Sequence, residues 1–391
     1  MNTTLTIADY LPQDIDNALL VGRVWRDDGL TGPALVVIRA GEVFDISAHV
    51  DCMADLLDGD NVSQFVRTVE GEPLGSVATL LQNSLAEPAV APYLLAPCDI
   101  QAIKACGVTF AVSLLERVIE EQAGGNANKA SQLRAELNEL IGQDLSRIKP
   151  GSEEAETLKA TLQARGAWSQ YMEVGLGPDA EVFTKSQPLS AVGFGSRVGL
   201  HPASKWNNPE PEIVLAVDSQ GNPKGATLGN DVNLRDIEGR SALLLGKAKD
   251  NNASCSIGPF IRIFDDHYTL DDVRKAQVSL RIEGKDDDFL LEGQSDMLKI
   301  SRDPLDLVQQ TIGKHHQYPD GFMLFLGTMF SPIQDRGGEG QGFTHHVGDR
   351  VTISTPSLGA LVNHVDYSDQ LAPWTFGIRS WRQHLANKHS R

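Results

Sequence analysis

Apolar runs at residues 19–24, 34–38 and 42–46, with Ala40-Gly41 separating the last two as a tight turn, predict short strands near the start of the chain. Pro88, Pro92 and Pro97 punctuate residues 86–97. Proline disfavours a helix interior, so a boundary is expected there, with a β-rich N-terminal unit over 1–95 and a larger unit over 96–391. After Phe110 the period changes. Leu114, Leu115, Val118 and Ile119 fall at helical spacing, and Leu133, Leu137 and Leu140 repeat it, which predicts a helical insertion over roughly 110–172. Beyond Glu173 glycine and proline are dense, and β-type runs stand at 213–217, 278–282 and 351–354. One helix is expected to interrupt them. Ser301 and Asp303 offer an N-cap just before Pro304, with Leu305, Val308 and Ile312 on one face. No repeat is visible, and the pattern reads as α+β, mainly β.

Charge narrows the partners. With 34 basic and 52 acidic side chains the formal net charge is −18, and no cluster of lysine or arginine interrupts it, so nucleic acid and anionic membrane surfaces are excluded as partners. No apolar run approaches the ~20 residues that span a bilayer, and Met1–Tyr10 carries neither the basic nor the apolar region of a secretion signal. A soluble cytoplasmic protein is expected. Cys52, Cys98, Cys106 and Cys255 form no Cys-x-x-Cys and read as reduced core thiols.

Several motifs carry less than their composition suggests. Gly193-Phe-Gly195 and the glycine-rich 337–342 lack the following helix and lysine of a nucleotide loop; the second reads as a loop or lid. No Gly-x-Ser-x-Gly elbow is present. His315-His316 and His345-His346 are adjacent pairs whose rings point apart, which suits structural or surface roles.

The informative segment is Trp206-Asn-Asn-Pro-Glu-Pro-Glu-Ile-Val-Leu-Ala-Val217. Glu210 and Glu212 are two apart, so an extended backbone sends both carboxylates to one face ahead of an apolar strand. Like charges on a half-buried face repel and lose hydration. A divalent cation resolves both problems, and Asp231 is a third oxygen donor that an antiparallel return strand would bring alongside. An all-carboxylate set favours Mg²⁺, or Mn²⁺ or Ca²⁺, over Zn²⁺. On spacing alone the alternative stands open, namely an exposed rim of carboxylates with Asp231 in a turn.

A wider set of motifs sits around these residues. Asn208-Pro-Glu-Pro-Glu-Ile-Val-Leu-Ala-Val217, then Gly229-Asn-Asp-Val-Asn-Leu-Arg-Asp236, then Lys247-Ala-Lys249 and Ile257-Gly-Pro259, with Phe183-Thr-Lys185 ahead and Gly327-Thr328 late, resembles the fumarylacetoacetate hydrolase superfamily over residues 96–391. The whole chain, including Gly107–Arg117 and Lys314–Gly321, is similar to the bacterial 2-keto-3-deoxy-pentonate (xylonate or arabonate) dehydratases of that superfamily.

The resemblance implies a mixed β-roll with Mg²⁺ (Mn²⁺ as substitute) on Glu210, Glu212 and Asp231, Lys249 reaching into the site, and association as a homodimer or higher homo-oligomer. Family hydrolases activate water with a His-Glu pair. The matching segment here keeps Glu116 but has Ser113 where the histidine belongs, which disfavours C–C hydrolysis and favours dehydration. Ala253 likewise replaces a common threonine. The implied reaction converts a 2-keto-3-deoxy-pentonate to 2,5-dioxopentanoate and water. Lys249, its pKa lowered by burial beside the metal, is expected as the C3 base and protonated Glu116 as the acid assisting loss of the C4 hydroxyl. Ser113, Lys185, Arg235 and Thr328 are the expected substrate contacts. Arg235 either holds a carboxylate or pairs with Asp236 or Glu238, and Thr328 either bonds substrate or closes a turn. The alternative activity is hydrolysis of a 2,4-dioxo acid, for example 5-hydroxy-2,4-dioxopentanoate to pyruvate and glycolate.

Overall fold

A computed structural model describes residues 6–130, 132–133, 148–164, 168–330, 332–338 and 341–390. The strands, in chain order, are β1 (Leu20–Arg26), β2 (Gly32–Arg39), β3 (Glu42–Asp45), β4 (Glu72–Ser76), β5 (Tyr93–Leu95), β6 (Ala102–Gly107), β7 (Glu181–Ser186) and β8 (Arg197–Leu200). There follow β9 (Pro211–Val217), β10 (Pro223–Asp231), β11 (Cys255–Ile263), β12 (Gln277–Glu283), β13 (Leu290–Asp296), β14 (Phe322–Phe325), β15 (Arg350–Thr355) and β16 (Gly359–Tyr367).

Among the described residues these form two sheets. The larger runs β4-β3-β2-β1-β11-β10-β9-β14-β6-β7, with β5 also paired to β1, and the smaller runs β13-β12-β15-β16-β8. β9 lies in the middle of the larger sheet, antiparallel to β10 and β14. All seven of its residues are buried, as its uninterrupted apolar run requires of a strand covered on both faces. The β9–β10 turn is closed by Asp218, whose Oδ1 accepts from Gln220 N at 2.9 Å and Asn222 N at 2.7 Å, an Asx-type arrangement.

The N-terminal strands join this sheet through β1, where Val21 stands opposite Ile261 of β11. Ala40 and Gly41 have φ of 49° and 77°, the left-handed pair that a two-residue hairpin turn requires. Arg262 is buried and grips Asp14 through both carboxylate oxygens at 2.7 and 2.6 Å, tying the first segment to β11.

Among the described residues the core has three parts. Leu215, Leu228 and Phe260 of the large sheet pack with Leu280, Ile353 and Leu361 of the small one. On the opposite face Val21, Ile257, Ile261 and Phe325 are covered by Met53, Leu57 and Val66 from the helices Met53–Leu57 and Val62–Thr68. The helices Ala111–Gln122 and Gln170–Leu176 enclose Leu114, Val118, Ile119, Tyr171 and Met172.

The expected helix begins at Pro304 with Asp303 capping Leu305 N at 2.9 Å. Its buried face is Pro304, Leu307, Val308 and Thr311, and Leu305 is exposed, because positions i, i+3, i+4 and i+7 from Pro304 share one helix face and Leu305 falls beside it. Leu137 and Leu140, and Glu339 and Gly340 of the glycine-rich loop, lie outside the described residues. The four cysteines are free and buried, as expected. No helix among the described residues is long and apolar enough to cross a membrane.

Candidate active site

The β9–β10 register places Glu212 opposite Gly229 and Pro211 opposite Asn230, and Asp231 N donates to Glu210 O at 3.0 Å. One hairpin therefore brings Glu210, Glu212 and Asp231 together. Their carboxylate oxygens lie within 4.8 Å of one another, and all three residues are buried. The rim reading is excluded by that burial, at 3%, 1% and 1% exposure.

Three cations partly compensate them. Lys249, at the end of the helix Leu245–Lys249, places Nζ 2.5 Å from Glu210 Oε2 and 3.1 Å from Asp231 Oδ2. Arg117, from the helix Ala111–Gln122, contacts Glu210 Oε1 as well as Glu120 at 2.5 Å and Glu238 at 3.3 Å. Lys185 of β7 meets Asp231 Oδ1 at 2.9 Å. Burial raises the Glu210 carboxyl, but Lys249 and Arg117 outweigh it and hold the group down at about 2. Glu212 goes the other way. Burial and the neighbouring Asp231 and Glu210 push its carboxyl well above the usual range, although Gly327 N–H donates to Oε2 at 2.7 Å.

A residual like-charge excess among buried oxygens is what a divalent cation relieves. The donor set fits one. It is all oxygen, and Cys106, which lines the same cavity, is kept protonated by burial and by Glu212, so a hard cation of the Mg²⁺ class suits it better than Zn²⁺. The turn that delivers the Gly327 N–H needs glycine: φ is 98° and a Cβ would lie 2.0 Å from Thr109 Oγ1.

The carboxylates open onto a small cavity of about 20 Å³ whose other walls include Ser113, Arg117, Glu181, Phe183, Glu238, Lys249 and Thr328. No histidine is among the described residues lining it. Ser113 Oγ is engaged at its helix start, donating to Phe110 O at 2.8 Å. Thr328 Oγ1 donates to Phe330 O at 3.0 Å, closing a turn while still facing the cavity.

Other expected residues sit one layer back. Lys185 is fully buried and donates to Val232 O at 3.3 Å and to Lys249 O, so it anchors Asp231 and the lysine helix and does not line the cavity. Arg235 is held by Asn208 Oδ1 at 2.9 Å, Glu120 at 3.2 Å and Pro332 O at 3.0 Å, and it too lies behind the wall. Glu116 is buried, acts on Arg235 and is not a lining residue. Lys249 does line the cavity, as expected. With no metal bound, burial lowers its ammonium pKa, but Asp231, Glu210 and Glu238 more than reverse this and raise it, and two of those three carboxylates belong to the triad.

Glu181 and Arg117 are lining residues that the sequence reading does not single out. Glu181 of β7 has its carboxyl raised to about 7 by burial and then by Glu238, against Arg117 and Lys249. It is two residues before Phe183 and four before Lys185 on one strand, so a period-two reading from the Phe-x-Lys motif points to it. Arg117 follows Ser113 by four on one helix, the spacing that puts both on one face.

Because Lys185 leaves a buried anion behind when removed, Lys185→Met is expected to cost about 3 kcal/mol, measured by chemical denaturation. An unchanged midpoint would show that Lys249 alone sustains Asp231.

No family model matches the chain. It is 31% identical over 195 residues, half of its length, to a probable 2-keto-3-deoxyxylonate dehydratase of Haloferax volcanii. It is also 31% identical over 190 residues to the 2-dehydro-3-deoxy-D-arabinonate dehydratase of Saccharolobus solfataricus. The matched stretches span 63% and 58% of these relatives' own lengths. A solved 2-keto-3-deoxy-D-arabinonate dehydratase, complexed with magnesium and 2,5-dioxopentanoate, superposes with a TM-score of 0.62 at 20% identity, covering 89% of this chain and 99% of that one. The fumarylacetoacetate hydrolase of Exiguobacterium antarcticum gives a TM-score of 0.52 at 15% identity over the same shares. These likenesses show the fold, an α+β, mainly β architecture shared with fumarylacetoacetate hydrolases.

Proposed function

We propose that this protein is a fumarylacetoacetate hydrolase superfamily lyase that dehydrates a 2-keto-3-deoxy sugar acid, converting 2-keto-3-deoxy-pentonate to 2,5-dioxopentanoate and water. The observation that carries the reading is the pairing of a buried all-carboxylate triad with a separate carboxyl, Glu181, in one cavity. The sequence likeness to two dehydratases of such acids supports it.

Glu210, Glu212 and Asp231 would hold Mg²⁺, which when bound supplies Lewis acidity to the substrate's 2-oxo group and so acidifies C3. Glu181 takes the proton from C3 and returns it to the C4 oxygen. The C3–H and C4–O bonds break, a C3–C4 double bond forms, and water leaves. Transfer of a C5 proton to C3 then gives the C4–C5 enol, which becomes the aldehyde. We assign this proton to Glu181 in place of Glu116, since only Glu181 lines the cavity. Lys249 remains a catalytic residue, but as a fixed cation facing the negative charge that develops on the substrate. Ser113 and Thr328 contact the substrate, and Lys185 and Arg235 position Asp231 and the cavity wall.

The same reading makes the protein a cytoplasmic homo-oligomer of sugar-acid catabolism, acting on a small molecule, with residues 1–95 and 96–391 as its two units. Formation of the aldehyde from 2-keto-3-deoxy-pentonate should stop with EDTA and return with Mg²⁺ or Mn²⁺. Turnover that persists in EDTA would remove the metal from the reaction.

A further inference from the structure

β6 and β7 are antiparallel neighbours, and their register sets Gly107 directly opposite Glu181. The Glu181 side chain folds back across this gap. A Cβ built on Gly107 would lie 1.9 Å from Glu181 Oε2, 2.6 Å from its Cδ and 3.3 Å from its Cγ, so the carboxyl occupies the volume that any other residue's side chain would fill. The backbone gives no competing reason for glycine. Gly107 is absent from the positive-φ residues, whereas the next residue, Val108, has φ of 48°. Both Gly107 and Glu181 line the cavity that holds the carboxylate triad.

We propose that Gly107 is the positioning residue for Glu181: its missing side chain is the seat that turns the carboxyl into the cavity beside the triad. The proposal rests on the reading of Glu181 as the proton carrier. A carboxyl displaced from its seat no longer reaches C3 and C4 of one substrate at once, and proton transfer is steeply sensitive to such displacement. The substitution that tests it, Gly107→Ala, adds a single methyl group at an ordinary strand position.

Gly107→Ala is expected to lower kcat by about 10²-fold with KM unchanged and with Mn²⁺ affinity, followed by electron paramagnetic resonance, equal to that of the wild type. The isotope effect on a substrate deuterated at C3 should rise, because proton transfer becomes the slow step. In a Glu181→Ala background, where no carboxyl is left to seat, Gly107→Ala should cause no further loss, a non-additivity that a double-mutant cycle reads directly. Wild-type kcat in Gly107→Ala alongside a Glu181→Ala lowered by about 10²- to 10⁴-fold would overturn the seat and leave the proton carrier standing. Wild-type kcat in Glu181→Ala would overturn the reading on which the seat depends. Additive losses, or loss of Mn²⁺ binding in Gly107→Ala alone, would show that Gly107 acts on the fold and not through Glu181.

Discussion

Replacing Glu181 with glutamine is expected to lower kcat by about 10²- to 10⁴-fold, the range a positioned general acid or base contributes, while leaving Mg²⁺ affinity intact. Glutamine keeps the size and one hydrogen-bonding oxygen of glutamate and loses only the exchangeable proton, so folding and metal binding have no reason to change. The pH dependence follows from the raised carboxyl. Burial and Glu238 bring Glu181 to about 7. The form that removes the C3 proton is the carboxylate, present above that value, so kcat/KM should fall as pH drops through about 7. That limb should vanish in whatever activity Glu181→Gln retains. A steady-state pH profile of both proteins is the check. A wild-type limb that survives unchanged in the variant would assign it to another group.

The second large effect has opposite signs for activity and stability. Glu212→Gln should abolish Mg²⁺ binding and turnover, yet make the metal-free protein more stable than the wild type. Glu212 is pushed well above the usual carboxylate range by burial, Asp231 and Glu210. A folded-state pKa above the unfolded value means that the ionised group costs stability. The cost is absent below the unfolded value of 4.5 and grows as pH rises through the folded one. The stability advantage of Glu212→Gln should therefore be nil in acid and increase with pH, and Mg²⁺ should stabilise the wild type alone. Thermal unfolding of both proteins across pH, with and without Mg²⁺, measures this. A variant less stable than the metal-free wild type near neutrality would mean that the carboxylate is compensated as it stands.

These expectations rest on features of unequal visibility in the sequence. The triad was legible because its geometry is local: two glutamates at strand spacing, an apolar strand and a short return bring three carboxylates together through one hairpin. Lys249 is legible only as part of a motif, because the three carboxylates that raise its pKa with no metal bound come from β10, the loop before β9 and another helix. Lys185 and Arg235 resemble substrate-binding cations when read singly, but their partners, from Val232 O to Pro332 O, become visible only when the chain is folded. Glu181 is marked in the sequence only by its strand phase with Phe183 and Lys185. Its carboxyl is raised by burial and by Glu238 and is seated over Gly107, and neither residue is a sequence neighbour.

The fold shows the same division. Strands with clear apolar runs, such as β2, β12 and β15, formed where periodicity put them. The helix Ile378–His389 has no buried residue, so no apolar face marked it in advance. The helices Met53–Leu57 and Val62–Thr68 are too short to establish a period, and their formation depends on covering the outer face of the large sheet.

The most direct test of the account is mass-resolved product analysis of the purified protein with 2-keto-3-deoxy-pentonate and, separately, with 5-hydroxy-2,4-dioxopentanoate, each in Mg²⁺. The account predicts loss of one water from the first acid, giving 2,5-dioxopentanoate, and no cleavage of the second. Pyruvate and glycolate from the second, with the first returned unchanged, would contradict it and make the protein a hydrolase that works without a histidine at position 113.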